Sequence, residues 1–314
     1  MSGSGVIFSE DGHVVTNYHV VRHAVRATAW LADGRERRAE IVGADPPTDL
    51  AVLRLRRRAA EEQFPMAQFG GSLTLQPGDP VWAVGSPGNL SQALTAGVVA
   101  NPRLALVDES TLPLIDGERV GRLVRWLAHD ARIFPGNSGG PLIDASGRVV
   151  GINEIYVAGL GGAIPVELVR SVADELVARG HVERAWLGVE WQPLPADGGE
   201  PAGVRIGTVW PDGPAARAGV EPGTIVSNLG EQPVAAATFD SLVDIERLEE
   251  ALAIGQPMQL RVSGAAARDI VLAPEARPVE SLAPVAMAKL GFVARDLTPL
   301  FVWRKRLATS GGWA

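Results

Sequence analysis

Short apolar runs separated by Gly, Pro, Asp and Asn dominate residues 5 to about 165; Val14-Val15-Thr16, Ala51-Val52-Leu53-Arg54-Leu55, Val81-Trp82-Ala83-Val84 and Val149-Val150-Gly151-Ile152 are the clearest. Runs this short, closely spaced and with turn signals between them, predict an all-β barrel or sandwich. The period changes at Pro165. Val166, Val169, Val172, Ala173, Leu176 and Val177 recur at helical spacing up to Gly180, which predicts one helix after a block of strands. From about 186 to 275 the pattern returns to strands: Leu187 to Trp191, Val204 to Val209, Ile225 to Asn228, Met258 to Val262 and Asp269 to Leu272. Between them lie a short helix near Ala215 to Ala218 and a longer one from Ser241 to Ala253, with Leu242, Ile245, Leu248 and Leu252 on one side and acids on the other. The expected organisation is therefore a β domain over 1–165, a helical linker over 166–185, an α+β domain over 186–275 and a tail over 276–314.

Composition narrows the classes. The 314 residues include 36 Gly and 23 Pro, which fits many turns and short strands. A net charge of −7 argues against a nucleic-acid binder, since phosphate neutralisation needs a basic surface. No window of about 18 apolar residues offers a membrane span. Cysteine is absent, which removes disulfides, thiolate metal sites and a Cys nucleophile together. The segment Met1 to Val15 has neither a basic nor an apolar stretch of signal-peptide type.

The richest chemistry lies in Pro135-Gly136-Asn137-Ser138-Gly139-Gly140-Pro141-Leu142. A serine among glycines has an exposed hydroxyl, and successive N–H groups in such a turn can converge on one oxygen. A plain Gly-rich hairpin gives the same letters, and so does the nucleophile elbow of α/β-hydrolases. That elbow demands a helix after the serine and an Asp and His downstream, whereas a β-like run follows here. Upstream, His19 ends one strand-like run and Asp49 begins another, so the order His, Asp, Ser is that of a chymotrypsin-type triad. His19 and His23 stand four apart, as two zinc ligands on a helix would, but no carboxylate or third ligand accompanies them, and no metal is expected.

These segments resemble the HtrA (Deg) family of trypsin-like serine proteases. Its histidine lies in T-N-x-H-V, its aspartate in D-x-x-x-D-L-A-V-L and its serine in P-G-N-S-G-G-P-L; all three occur here in order, 30 and 89 residues apart. Further matches are Gly3-Ser4-Gly5-Val6-Ile7, Val84-Gly85-Ser86-Pro87 and Gly151-Ile152-Asn153. The resemblance implies a mainly β fold, a chymotrypsin-like pair of six-stranded barrels with the triad between them, followed by a PDZ domain. It implies Ser138 as nucleophile, His19 as general base and Asp49 as its orienting carboxylate. The Gly136 and Ser138 amides would form an oxyanion hole, and Asn153-Glu154-Ile155 would pair with substrate and wall the first pocket. Arg132 either borders that pocket or faces solvent. No cofactor is implied.

The second unit resembles a PDZ domain of bacterial proteases through Trp186-Leu187-Gly188-Val189, Gly213-Pro214-Ala215-Ala216-Arg217-Ala218-Gly219-Val220 and Pro222-Gly223-Thr224-Ile225. The amides of Leu187, Gly188 and Val189 would receive a peptide C-terminus lying beside Leu248 and Leu252. Expected partners are unfolded proteins and peptide C-termini, with a homotrimer and a periplasmic or envelope location by resemblance. The rival reading is a proteolytically silent, chaperone-like peptide binder on the same scaffold. Two expectations concern the ends: the first barrel lacks an opening strand, and Leu290 to Pro299 looks like the start of a second PDZ domain, as if both outer parts were missing.

Overall fold

The computed structural model describes residues 2–278 apart from 25, 87–92, 107–111, 116–117, 196–202 and 265–266, and beyond them 285–287, 292–294 and 298. Most of the segment expected to open a second PDZ domain, and the basic run near 305, lie outside the described residues. Two compact units emerge: residues 1–105 with 120–182, and 106–119 with 183–314.

The first unit holds two antiparallel sheets. One comprises β1 (Val6–Ile7), β2 (His13–Asn17), β3 (Ala27–Trp30), β4 (Glu36–Asp45) and β5 (Leu50–Leu55), in the order β1-β2-β5-β4-β3. This sheet has five strands and two edges among the described residues, where the resemblance implied a closed barrel of six. The other is a closed six-stranded barrel of β6 (Pro80–Gly85), β7 (Ala93–Leu104), β8 (Trp126–His129), β9 (Pro141–Asp144), β10 (Val149–Val157) and β11 (Leu160–Pro165), in the order β8-β11-β10-β9-β6-β7. Alternation puts Val14, Ala51, Leu53 and Leu55 with Phe64 inside the first, and Val81, Ala83, Val99, Leu127, Leu142 and Val150 inside the second. Each side chain buried this way contributes on the order of 1.5–3 kcal/mol.

The helix read as a linker is α2 (Val166–Arg179), and it packs on the first unit, against β4, β5, β10 and β11. Val166, Val169, Val172, Ala173 and Leu176 are buried as the spacing predicts, whereas Val177, assigned to the same face, is exposed. Its first turn is tied down by Glu167, whose carboxylate accepts the Ser72 N–H at 2.8 Å and the Ser72 hydroxyl.

In the second unit, an antiparallel sheet carries strands Val189–Gln192, Val204–Val209, Ile225–Leu229, Met258–Val262 and Arg268–Leu272, in that order, over helices Pro214–Arg217 and α4 (Phe239–Glu250). Leu242 and Ile245 enter the core as predicted, and Leu248 and Leu252 pack at its margin. The acids do not all face water. Glu249 and Glu250 are buried. Glu250 pairs with Arg184 at 2.6 Å and Arg277 at 3.4 Å, while Glu249 accepts the Leu187 N–H at 2.8 Å and the Trp191 indole N–H at 2.6 Å. The binary pattern could not show this, because partners 58 and 62 residues away supply the donors.

Burial raises the Glu249 pKa to about 7, against the opposing pull of its two donors and of Arg277. The unfolded chain loses this proton near the ordinary value of 4.5, whereas the folded chain keeps it up to about 7. Stability contributed here is therefore lost as pH rises through that interval, by roughly 3 kcal/mol. Urea unfolding followed by tryptophan fluorescence at pH 5 and pH 8 should show a smaller drop for Glu249→Gln than for wild type. Equal drops in the two proteins would assign the dependence to other groups.

Candidate active site

Strand pairing does the first part of the assembly. The antiparallel register of β2 and β5 sets Asn17 opposite Leu50, so the residues just after one strand meet the residue just before the other. His19 follows Asn17 on the one-turn helix α1 (Tyr18–Val21), and Asp49 precedes Leu50 at the end of a 3-10 turn, Pro46–Thr48. Asp49 has left-handed backbone, φ 53° and ψ 32°, which aspartate tolerates better than most residues. Its own N–H bonds the Pro46 carbonyl at 3.0 Å, and its carbonyl accepts the Tyr18 N–H at 2.9 Å and the Asn17 side-chain amide at 3.1 Å.

That conformation aims the carboxylate at the histidine. Asp49 Oδ2 lies 2.6 Å from His19 Nδ1, and Oδ1 accepts the His19 backbone N–H at 2.9 Å. The aspartate side chain is 1% exposed and the histidine 31%. Burial pushes the Asp49 carboxyl up from its ordinary range, and its hydrogen bonds to His19 oppose that rise. His23 takes no part: α1 ends at Val21, and His23 has left-handed backbone with φ 59°, so the two histidines do not share a helix face.

Ser138 sits in the turn that leads into β9. A strand, not a helix, follows it, which removes the α/β-hydrolase reading. The turn is pinned from several sides. The Gly139 N–H bonds the Asn153 carbonyl at 2.9 Å, and the Asn153 side chain donates to the carbonyls of Gly140 at 3.1 Å and Pro141 at 3.0 Å. Gly139 has φ 85°, and a Cβ there would collide with the Ser4 carbonyl and the Thr16 hydroxyl. Only glycine lets the turn press this closely on the end of β2.

Ser4 is the residue that sequence reasoning passed over. Its N–H bonds the Ser138 carbonyl at 2.8 Å, its hydroxyl donates to the Gly136 carbonyl at 2.7 Å and accepts the Ser86 N–H at 3.0 Å, and its carbonyl accepts the Thr16 hydroxyl at 2.7 Å. The stretch Gly3-Ser4-Gly5 was noticed only as a matching motif, and nothing in a serine before a short strand signals a clamp on a turn over 130 residues away.

Among the expected pocket residues, Asn153 is wholly buried and turned inward, its Oδ1 lying 3.1 Å from His129 Nε2. Glu154 is also buried; its carboxyl meets Trp126 and Asp49, while its carbonyl accepts the Ser138 hydroxyl at 3.4 Å. Ile155 is half-buried, and Arg132 is exposed. Phe134, beside the serine turn, is exposed as well. In the second unit the Leu187 amide already has a partner: Glu249 accepts it at 2.8 Å, because a buried N–H needs an acceptor and the helix supplies one.

The trypsin-like peptidase domain family matches residues 3–152. A probable periplasmic serine endoprotease DegP-like from Halomonas elongata is 38% identical over 272 residues, 83% of this chain and 53% of the relative. A putative serine protease HhoB from Synechocystis sp. is 36% identical over 278 residues, 83% of this chain and 63% of the relative. The chain thus spans a little over half of the length of these curated relatives. Among solved structures, the HtrA-type protease AlgW with a tripeptide matches at 32% identity and a TM-score of 0.76, covering 88% of this chain and 90% of that one. A serine endoprotease from Yersinia pestis matches at 29% identity and a TM-score of 0.68. The 32% identity to AlgW over 90% of that structure, with matches that run through both units, means that the chain belongs to the HtrA (Deg) family of trypsin-like serine proteases.

Proposed function

We propose that the chain is a serine endopeptidase of unfolded or damaged proteins, working through Ser138, His19 and Asp49. The observation that carries this reading is the 2.6 Å contact between Asp49 and His19 Nδ1. It fixes the imidazole tautomer and leaves Nε2 to receive a proton. Ser138 Oγ attacks the substrate carbonyl as its proton passes to Nε2, and the same proton later goes to the leaving amine. Asp49 stays ionised and stabilises the imidazolium that forms in between. The Gly136 and Ser138 amides receive the oxyanion, a donor pair of which each member is typically worth about 10²–10³ in rate. No metal or organic cofactor enters these steps.

The second unit is read as a PDZ module for peptide C-termini, with the residues from Leu187 to Val189 as the carboxylate loop. A terminal carboxylate would have to displace Glu249 from the Leu187 amide, so binding should favour free acids over amides and should strengthen as Glu249 is protonated. Titration of the full chain with a peptide in acid and amide forms at pH 6 and pH 8 measures both effects. Equal affinities throughout would remove the carboxylate-loop reading. By resemblance to relatives named periplasmic, we also propose an envelope location.

Ser138→Ala should abolish cleavage of casein, and His19→Ala should come close, because members of a triad act as a unit. Residual activity of Ser138→Ala above about a thousandth of wild type would refute the assignment, since loss of a triad nucleophile costs on the order of 10⁶ in kcat. A phosphonofluoridate should label wild type at Ser138. A wild type that binds unfolded chains but neither labels nor cleaves would support the silent chaperone-like reading instead.

Ser4→Ala should release the Gly136 carbonyl and lower kcat/KM by roughly 10- to 100-fold, the scale of a misplaced catalytic group. Its stability should fall by about 2 kcal/mol for the two lost hydrogen bonds. A variant with wild-type kcat/KM would show that the turn holds its shape without Ser4.

A further inference from the structure

The Glu154 carboxyl lies where a protease of this design has no evident need for an acid. It projects from β10, in a run of six buried residues from Val149 to Glu154. The surroundings form a socket. Trp126 Nε1 donates to Glu154 Oε2 at 2.5 Å. Gly121, with φ 77°, faces the other oxygen; a Cβ there would stand 2.7 Å from Oε1. The loop carrying Gly121 is joined to the turn that carries Asp49, through the Gly121 N–H on the Pro46 carbonyl at 3.0 Å and the Leu123 N–H on the Pro47 carbonyl at 2.9 Å. The remaining face of the carboxyl meets the Asp49 side chain.

The structure assigns Glu154 as a positioning residue: a neutral carboxylic acid that donates a hydrogen bond to the Asp49 carboxylate and so holds it against His19. This inference rests on the triad reading above. Two touching carboxyls cannot both ionise cheaply, so the pair shares one proton. The donors decide where it resides. Asp49 already accepts two N–H groups of His19, at 2.6 and 2.9 Å, and these favour its ionised form. Glu154 accepts one indole N–H. Burial and the Asp49 charge both push the Glu154 carboxyl well above its ordinary range. The groups that bear on it are Asp49, Trp126 and, through Asp49, His19; among the described residues no cation offsets it. Its main chain meets the other end of the triad, since the Glu154 carbonyl accepts the Ser138 hydroxyl.

A consequence concerns alkaline pH. Once Glu154 loses its proton, two uncompensated anions face each other and Asp49 is driven from His19. Glutamine at this position donates to Asp49 and accepts from Trp126 without ionising. Full-length Glu154→Gln, with both hydrogen bonds retained, should therefore hold its rate to higher pH than wild type. Glu154→Ala should lower kcat roughly 10- to 100-fold with little change in KM. The downfield proton resonance of His19 Nδ1 gives a readout independent of turnover: it should persist in Glu154→Gln and be shifted or lost in Glu154→Ala. Identical alkaline limbs for wild type and Glu154→Gln would overturn the proposal, and so would an unchanged resonance and kcat in Glu154→Ala. Should the alanine variant fail to fold, the glutamine comparison still decides. A wild type without peptidase activity would sink the proposed function alone, with the resonance still reporting the Glu154–Asp49–His19 chain.

Discussion

The first unit is organised around one buried anion. Asp49 is removed from water, and an isolated carboxylate in such a place would cost several kcal/mol. Donors make the position tenable, and each fixes a separate piece of chain. The His19 ring and backbone N–H groups bring in the helix after β2. The Glu154 carboxyl brings in the closed barrel. Burial makes the arrangement demanding, since the same low dielectric that strengthens each bond penalises any bond left unmade. The site is therefore preorganised by solvation: the carboxylate can be buried here only with its partners in place.

Preorganisation of the serine turn has a different physical origin. Among the described residues no charged side chain is seen to hold the serine turn, which is held by neutral bonds to backbone carbonyls. Ser4, just before β1, and Asn153, in β10 of the closed barrel, both grip it. The glycine at 139 allows backbone to approach backbone, so that the two sheets meet at the turn. Electrostatics thus orients His19, and packing with hydrogen bonds orients Ser138. Their meeting point is Glu154, which reaches Asp49 through its side chain and Ser138 through its carbonyl.

The legible part of this in the sequence was what repeats or stays local. Short apolar runs between turn residues revealed the strands, and Val166, Val169, Val172, Ala173 and Leu176 marked α2 because a 3.6-residue period survives in any context. His19, Asp49 and Ser138 stood out because each lies in a strongly patterned local motif. Contacts across long sequence separations left no such mark. Ser4 carries a common residue type in an unremarkable place, and its value comes from partners 82 and 132 residues away. Glu249 and Glu250 read as the wet side of an amphipathic helix, and only the fold brings Leu187, Trp191, Arg184 and Arg277 onto them. Glu154 was noticed for its strand, as a pocket wall, while its side chain turned out to serve the interior.

Glu154 and Glu249 make an instructive pair. Each is a buried glutamate that accepts a tryptophan indole N–H, at 2.5 and 2.6 Å. Their remaining neighbours differ in sign. Glu249 also receives a backbone N–H and feels Arg277, and these bring its pKa back to about 7. Glu154 faces Asp49, so neighbour and burial act in the same direction and push its carboxyl well above the ordinary range. Glu249 is thus left close to its ionisation point at neutral pH, while at Glu154 the neighbouring charge adds to the push of burial. The same side chain, with the same aromatic partner, becomes an anion-like acceptor in one place and a hydrogen-bond donor in the other. What selects between the two is the charge of the group beyond the tryptophan, a quantity set by tertiary structure and invisible in the local sequence.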